Sequence, residues 1–260
     1  MSKLFDLQGK VALVTGGGRG LGKYITAGLA EAGATVIITS RKMENLETAA
    51  REIGERYKVR IVPIACDQAK EEDINTLVKE ATGQFPRIDI LVNNSGITWG
   101  APTLEFPLKG WDKLFNVNLR GVWILTQQIA RLMKDQGGGN IINISSITSL
   151  RGFEEDIQPS VAYNATKAAL NNLTLNLAVK LAPYNIRVNA IALGYFHSDM
   201  TSYMDIPEYK HHYQALVGMT PMKRFGEGKD IKGAAIFLAS EASSYVTGHI
   251  LAVDGGFLAR

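Results

Sequence analysis

Seven short apolar runs, each closed by a polar or glycine-rich break, constrain this chain most. They are Val11-Ala12-Leu13-Val14, Val36-Ile37-Ile38, and the stretches 59–64, 88–92, 141–144, 186–191 and 250–253. Helical patterns separate them. Tyr24, Ile25, Leu29 and Ala30 share one face ahead of Gly33, which caps that pattern. Further helices are expected over 43–57, 71–82, 108–135, 162–182 and 228–239. Near-continuous apolar strands alternating with helices imply a parallel sheet covered on both faces. The expected fold is α/β: a Rossmann-type doubly wound parallel sheet of about seven strands with helices on both faces. No linker, repeat or low-complexity segment interrupts the chain, so 1–260 reads as a single domain. One stretch, 193–225, lacks a clear period and is too long for a turn; it reads as a substrate-side lid.

Composition narrows the partners. A chain of 260 residues, 46% hydrophobic and 20% charged, suits a soluble globular protein. A net charge of +3 gives no reason to expect nucleic acid, and no apolar run is long enough to span a membrane. The opening Met1-Ser2-Lys3-Leu4-Phe5-Asp6 lacks the apolar core of a signal peptide. The single cysteine, Cys66, closes an apolar run and reads as a buried, inert thiol; it excludes an internal disulfide and fits a reducing cytoplasm. The four histidines show no metal-ligand spacing, so no metal is expected, and His211-His212 reads as a solvated pair in a polar loop.

Four clusters carry chemistry. The first is Thr15-Gly16-Gly17-Gly18-Arg19-Gly20-Leu21-Gly22, between the first strand and the first helix. Glycines there let backbone N–H groups approach a pyrophosphate at the helix N-terminus, although by itself such a turn is equally a plain tight turn. The second is Ser40-Arg41-Lys42 at the end of the second strand, where an NAD site wants a carboxylate. With Arg19 on the same side, two guanidiniums and no acid suit a 2′-phosphate; the alternative is two solvated arginines. The third, Asn93-Asn94-Ser95-Gly96, ends the fourth strand, at the edge where ligands bind in open α/β sheets. Asn118 lies inside a helical pattern, unfavourable for Asn unless it has a buried polar task or marks a kink. The fourth cluster is Ser145-Ser146 followed by Tyr163-Asn164-Ala165-Thr166-Lys167. On a helix Lys167 shares a face with Tyr163, and a nearby ammonium favours a phenolate. A tyrosine so tuned is a proton donor or acceptor, and Ser146 can bond the same substrate oxygen.

Together these pieces resemble the short-chain dehydrogenase/reductase family over nearly the whole chain. Thr15-Gly16-x-x-x-Gly20-x-Gly22 is similar to its glycine motif, and Asn93-Asn94-Ser95-Gly96 to its N-N-A-G with Ser95 in place of alanine. Asn118, Ser146, Tyr163 and Lys167 match its catalytic tetrad in order, Asp67 matches the residue beside the adenine, and Val246-Thr247-Gly248 through Val253-Asp254-Gly255-Gly256 resembles its C-terminal signature. Two departures stand out. Leu193-Gly194 replaces the usual Pro-Gly, which would free the loop at the nicotinamide; Ser198 then matches the threonine that holds the carboxamide. The segment between Ser146 and Tyr163 is a few residues long, and its extra piece near 152–159 should rim the substrate pocket. That length leaves Ser145 as an alternative to Ser146.

The resemblance implies reversible NADP(H)-dependent hydride transfer between a carbonyl and a secondary alcohol on a small molecule. It implies that Tyr163 moves the proton, Ser146 polarises the oxygen, Lys167 lowers the tyrosine pKa and holds the ribose, and Asn118 supports a water relay. The cofactor would be held by Gly16, Arg19, Gly20, Leu21, Gly22, Ser40, Arg41, Asp67, Asn94, Gly96, Tyr163, Lys167, Gly194 and Ser198. Within the family, Leu4-Phe5-Asp6-Leu7-x-Gly9-Lys10 and Gly194-Tyr195-Phe196-x-Ser198-Asp199-Met200-Thr201 look most like gluconate 5-dehydrogenases, with 3-oxoacyl-thioester reductases similar almost as far. The pocket candidates Trp99, Phe153, Tyr195, Tyr203 and Met204 are mixed in polarity. A non-catalytic NADP(H)-binding regulatory protein is the rival of a different class. Small and apolar residues on several faces of the helices near 108–135 and 162–182 imply pairing, in this family usually within a homotetramer.

Overall fold

A computed structural model describes residues 3–198 and 200–260; Met1, Ser2 and Asp199 of the stretches quoted above lie outside the described residues. Seven parallel strands form one sheet in the order β3-β2-β1-β4-β5-β6-β7. The strands are β1 (Val11–Thr15), β2 (Thr35–Ser40), β3 (Ile61–Ala65), β4 (Ile90–Asn93), β5 (Gly139–Ser146), β6 (Ile186–Leu193) and β7 (Ile250–Val253). The helices are α1 (Gly20–Glu31), α2 (Met43–Tyr57), α3 (Glu71–Gln84), α4 (Leu108–Phe115), α5 (Gly121–Asp135), α6 (Val161–Leu181), α7 (Lys210–Met219) and α8 (Gly228–Ala239). The chain folds as a single α/β domain of Rossmann type.

Alternation across the sheet explains the unbroken apolar runs. Ala12 and Val14 of β1 face a core with Ile25 and Leu29 of α1, Leu46 of α2 and Leu238 of α8. Leu13 faces the opposite core, with Leu77 of α3, Ile129 of α5 and Leu177 of α6. Each such Leu or Ile, fully buried, contributes roughly 1.5–3 kcal/mol relative to exposure. The order reverses at β1, so the carboxyl ends of β1 and β4 flank the crevice where ligands bind in this class of sheet. Helix α1 ends where expected: Gly33 has a φ of +99° and donates its N–H to Ala30 O at 2.9 Å.

Three regions depart from the sequence reading. The helix expected over 108–135 is broken by a π turn at Asn116–Arg120, centred on Asn118. The stretch 193–225 is not irregular throughout: it holds α7 and two short 3₁₀ turns, Ser202–Asp205 and Pro207–Tyr209. Its apolar residues Met204, Leu216 and Phe225 form a small core of their own, with Ile157 of the extra segment packed against it. His211 and His212 therefore lie on α7, not in a polar loop, and His212 Nε2 is buried with no hydrogen-bond partner among the described residues.

Candidate active site

The glycine turn is locked to the neighbouring strand by one hydroxyl. Thr15 Oγ1, at the end of β1, accepts from the N–H groups of Asn94 at 3.0 Å and Ser95 at 2.9 Å. Asn94 returns the contact, donating its Nδ2 to Thr15 O at 2.8 Å. Gly16 takes a φ of +67° and Gly20 one of +51°, the left-handed region that glycine enters without steric cost. Gly22 has no alternative residue: a Cβ there would lie 2.1 Å from Gly16 O and 2.5 Å from Asn94 Nδ2. Beside Gly20 the space is open, with nothing within 4 Å of where its Cβ would be. Arg19 stands at the N-cap position of α1 without a side-chain capping bond, and Leu21 packs partly against the core, so the turn presents the helix N-terminus at the crevice. This arrangement fits a dinucleotide pyrophosphate.

The remaining cofactor candidates fall along the same sheet edge. Ser40 ends β2 with its hydroxyl directed at Lys42 O, 3.4 Å away, and Arg41 follows it, exposed. Asp67 Oδ1 accepts from Ala69 N at 3.1 Å, closing a turn after β3. Gly96 sits where a Cβ would be 3.5 Å from Asn118 Oδ1 and 3.6 Å from Lys167 Nζ, so those two side chains converge on it. Leu193 does not free its loop. It stays in β6, paired with Ser146 on one side and Val253 on the other, and Gly194 N donates to Val253 O at 3.0 Å. Ser198 belongs to a turn closed by Thr201, whose Oγ1 accepts from Ser198 N at 3.0 Å.

The π turn gives Asn118 its place. A wide turn redirects one residue of the helix, and such turns recur at functional sites. Asn118 is fully buried; its Oδ1 accepts from Ile97 N at 2.9 Å, and its Nδ2 donates to Ile97 O at 2.9 Å and to Thr166 Oγ1 at 3.2 Å. It thus clamps the loop after β4 onto α6. Thr166 in turn donates to Tyr163 O at 2.8 Å.

Ser146, at the end of β5, accepts from Thr148 N at 3.2 Å and Thr148 Oγ1 at 3.0 Å, and its hydroxyl is near enough to the Tyr163 phenol to favour the ionised form. Ser145 points away, to Ser149 Oγ at 3.3 Å and Lys167 O at 3.4 Å. Of the two serines, Ser146 is the one that meets Tyr163. Lys167 is 4% exposed and donates to Ile144 O at 2.7 Å, with Nζ 5.6 Å from the centre of the Tyr163 ring.

Electrostatics here run against the sequence reading. Tyr163 is not lowered: burial pushes its phenol up to about 12, and the Ser146 hydroxyl offsets this only in part. Burial also brings the Lys167 ammonium down to about 8. The physical reason is that Lys167 directs its charge at the Ile144 carbonyl and not at the phenol, in a site dry enough to penalise both charged forms. Cys66 is inert as expected, its thiol raised to about 12 chiefly by burial.

Sequence reasoning missed how the extra segment is anchored. Glu155 accepts from both Thr103 N and Thr103 Oγ1, each at 2.6 Å, and Ala101 N donates to Pro159 O at 2.9 Å. Residues 155–159 therefore bind the loop after β4, while Ile157 packs on the lid core. Among the pocket candidates, Met204 is buried within that core; Phe153 stacks on Phe257 at 5.7 Å, and Trp99 lies under Lys113 at 5.7 Å.

Comparison with known proteins gives consistent matches along the full length. The family model described as enoyl-(acyl carrier protein) reductase matches residues 16–258. A 3-oxoacyl-[acyl-carrier-protein] reductase from Aquifex aeolicus is 41% identical over 250 residues, covering 96% of this chain and 98% of the other. A 2-dehydro-3-deoxy-D-gluconate 5-dehydrogenase from Pseudoalteromonas atlantica is 39% identical over 264 residues, covering 100% of both. The crystal structure of a gluconate 5-dehydrogenase from Burkholderia cenocepacia in complex with NADP and tartrate superposes with a TM-score of 0.91 at 37% identity, covering 99% of this chain and 98% of that one.

Proposed function

The chain belongs to the short-chain dehydrogenase/reductase family, and from that premise we propose how its residues carry out NADP(H)-dependent oxidoreduction of a carbonyl and secondary alcohol. The observation that carries the reading is the convergence of Ser146, Tyr163 and the buried Lys167, whose Nζ lies 5.6 Å from the Tyr163 ring, at the end of β5. When bound, the nicotinamide gives or accepts hydride at the substrate carbon; the rest is the protein's work. A phenol at about 12 stays protonated at working pH, so in reduction Tyr163 donates its proton to the carbonyl oxygen as negative charge develops there. Ser146 hydrogen-bonds the same oxygen and fixes its position. Lys167 holds positive charge near the tyrosine, limiting the cost of the phenolate that proton transfer leaves, and reaches the nicotinamide ribose. Asn118 commits its side chain to Ile97 and Thr166, so its part in the proton path is to hold the loop after β4 against Lys167. The glycine turn, Asn94 and Gly96 hold the dinucleotide, Asp67 the adenine end, and Gly194 and Ser198 the carboxamide end. Arg19 and Arg41, with Ser40 in place of an acid, favour the 2′-phosphate.

The substrate proposed is a sugar acid of the gluconate/5-ketogluconate kind, with 3-oxoacyl thioesters second; relatives of both kinds match at about equal identity. Residues 193–225 act as the lid over it. Assembly is proposed as a homotetramer: a groove of about 980 Å³ between α4, α5 and α6, lined by Trp111, Phe115, Leu119, Trp123 and Leu173, leaves apolar surface uncovered. Among the described residues no helix is long and apolar enough to cross a membrane. A cytoplasmic location fits the single buried thiol. The test is NADPH absorbance with sugar acids, 3-oxoacyl thioesters and cyclic ketones, together with light scattering. Consumption of NADPH by at least one class and a tetrameric mass are expected. Tight NADPH binding with no turnover on any class would favour the regulatory protein instead, and a monomeric mass would remove the tetramer.

A further inference from the structure

The lid side of the cleft holds a phenol that the mechanism above does not use. Tyr195 directly follows Gly194, and its backbone is fixed from two directions. Gly194 is pressed on the segment after β7, where a Cβ would lie 2.7 Å from Asp254 Cα. Gly226 N donates to Tyr195 O at 2.8 Å. The ring is fixed as well: Phe225 stacks on it at 5.7 Å and Phe257 meets it edge-on at 5.7 Å. Backbone and ring together leave the hydroxyl little freedom of direction. It is buried and, among the described residues, has no hydrogen-bond partner.

Buried polar groups in folded proteins are almost always paired, because an unpaired one forfeits its hydration without return. An orphaned hydroxyl held rigidly within electrostatic reach of Tyr163 is therefore a group available to a ligand. Burial raises its pKa, and the Tyr203 and Tyr163 phenols are near enough to raise it further. The hydroxyl therefore lies within electrostatic reach of Tyr163 and of Tyr203 of the lid, which is 42% exposed. Ser146 and Tyr163 already serve the reacting oxygen. A further donor on the lid side addresses an oxygen on a neighbouring carbon.

We infer that Tyr195 is a specificity-determining residue whose hydroxyl hydrogen-bonds a hydroxyl on a carbon next to the reacting carbonyl, making the substrate class hydroxylated ketones of the sugar or sugar-acid type. A 3-oxoacyl thioester carries a methylene there and leaves the phenol unpaired. A site built to bond a substrate hydroxyl discriminates strongly against analogues that lack it. The inference rests on the carbonyl reduction proposed above.

The experiment compares kcat/KM for 5-keto-D-gluconate, its 4-deoxy and 6-deoxy analogues, and the acetoacetyl thioester of N-acetylcysteamine, with the wild-type protein and Tyr195→Phe. The wild type should prefer the fully hydroxylated ketone over one deoxy analogue by about 10- to 100-fold. Tyr195→Phe should bring that ratio to within about threefold, with melting temperature and NADPH affinity retained. The ratio is the readout, so general damage to the site does not mimic the effect. A ratio unchanged in the variant overturns the inference. So does a wild type that prefers the deoxy ketones or the thioester, although carbonyl reduction would then stand. No reduction of any of these ketones or of cyclic ketones removes the carbonyl-reduction reading, and the inference with it.

Discussion

The two walls of the cleft are built on different principles. On the cofactor side, Thr15, Gly16, Gly22 and Asn94 bring two chain segments within backbone contact, and one added methyl at Gly22 would overlap Gly16 O. On the substrate side, the lid is held by rings such as Tyr203 against Tyr209 at 5.3 Å, and the extra segment by exposed pairs such as Glu155 on Thr103. Backbone contact admits one geometry. Ring packing and surface hydrogen bonds tolerate several, because side chains can repack at a cost of about 1 kcal/mol. A pyrophosphate is the same ligand for every dinucleotide enzyme, whereas a substrate pocket must be adjustable. The lesson is that rigidity here follows the invariance of the ligand, and Ser146 and Tyr163, the pair proposed to carry the chemistry, sit at the junction.

The sharpest way to break this comparison is at the junction itself. Tyr163→Phe should lower turnover by roughly 10²- to 10⁴-fold while NADPH affinity stays within a few-fold, measured by steady-state rates and fluorescence titration. Retained turnover would separate the chemistry from the junction. The pH profile adds to it. Reduction should be flat below pH 8 and fall above it, as Lys167 discharges through about 8 while Tyr163, at about 12, stays protonated. Stability moves the other way. Lys167 is depressed from 10.5, so between about 8 and 10.5 the unfolded chain binds more protons, and the penalty of the buried cation is relieved as pH rises. Lys167→Met should therefore raise the melting temperature by a few degrees at pH 7 while abolishing activity, read by calorimetry.

Next in size are two glycines in one turn. Gly22→Ala forces the turn apart and should cost roughly 1–3 kcal/mol of stability and at least tenfold in NADPH affinity. Gly20→Ala meets open space and pays only for its left-handed backbone, about 1 kcal/mol. Equal effects from the two would show that close approach is not what holds this wall. Ser40→Asp with Arg41→Ala should then reverse the choice between NADPH and NADH by about tenfold or more, since it adds repulsion and removes a charge-assisted bond. Calorimetric titration with each dinucleotide decides it; an unaltered preference makes Arg41 a surface charge only.

The smallest effect belongs to the substrate side. Glu155→Gln weakens a hydrogen-bonded pair with Thr103 that water screens, so its effect is small. It should raise KM for the ketone a few-fold and leave kcat and NADPH affinity alone. An effect on NADPH binding as large as that of Gly22→Ala would erase the distinction between the walls.

What the sequence by itself determined follows from local rules. Apolar period, glycine position and the Tyr163–Lys167 spacing depend on neighbours a few residues away, so the seven strands, the Gly33 stop and the candidate clusters were all legible. The extent of the fourth helix, the helical content of 193–225 and the setting of His212 were not. The π turn brings Asn118 to Ile97, and α7 packs on a core against which Ile157 comes from a distant part of the chain. The choice between Ser145 and Ser146 depended on the path of β5, which directs only the second serine at Tyr163. Only the tertiary structure decided the sign of the tyrosine shift: spacing puts Lys167 on the right face, but desolvation by the whole fold outweighs an ammonium turned toward the Ile144 carbonyl.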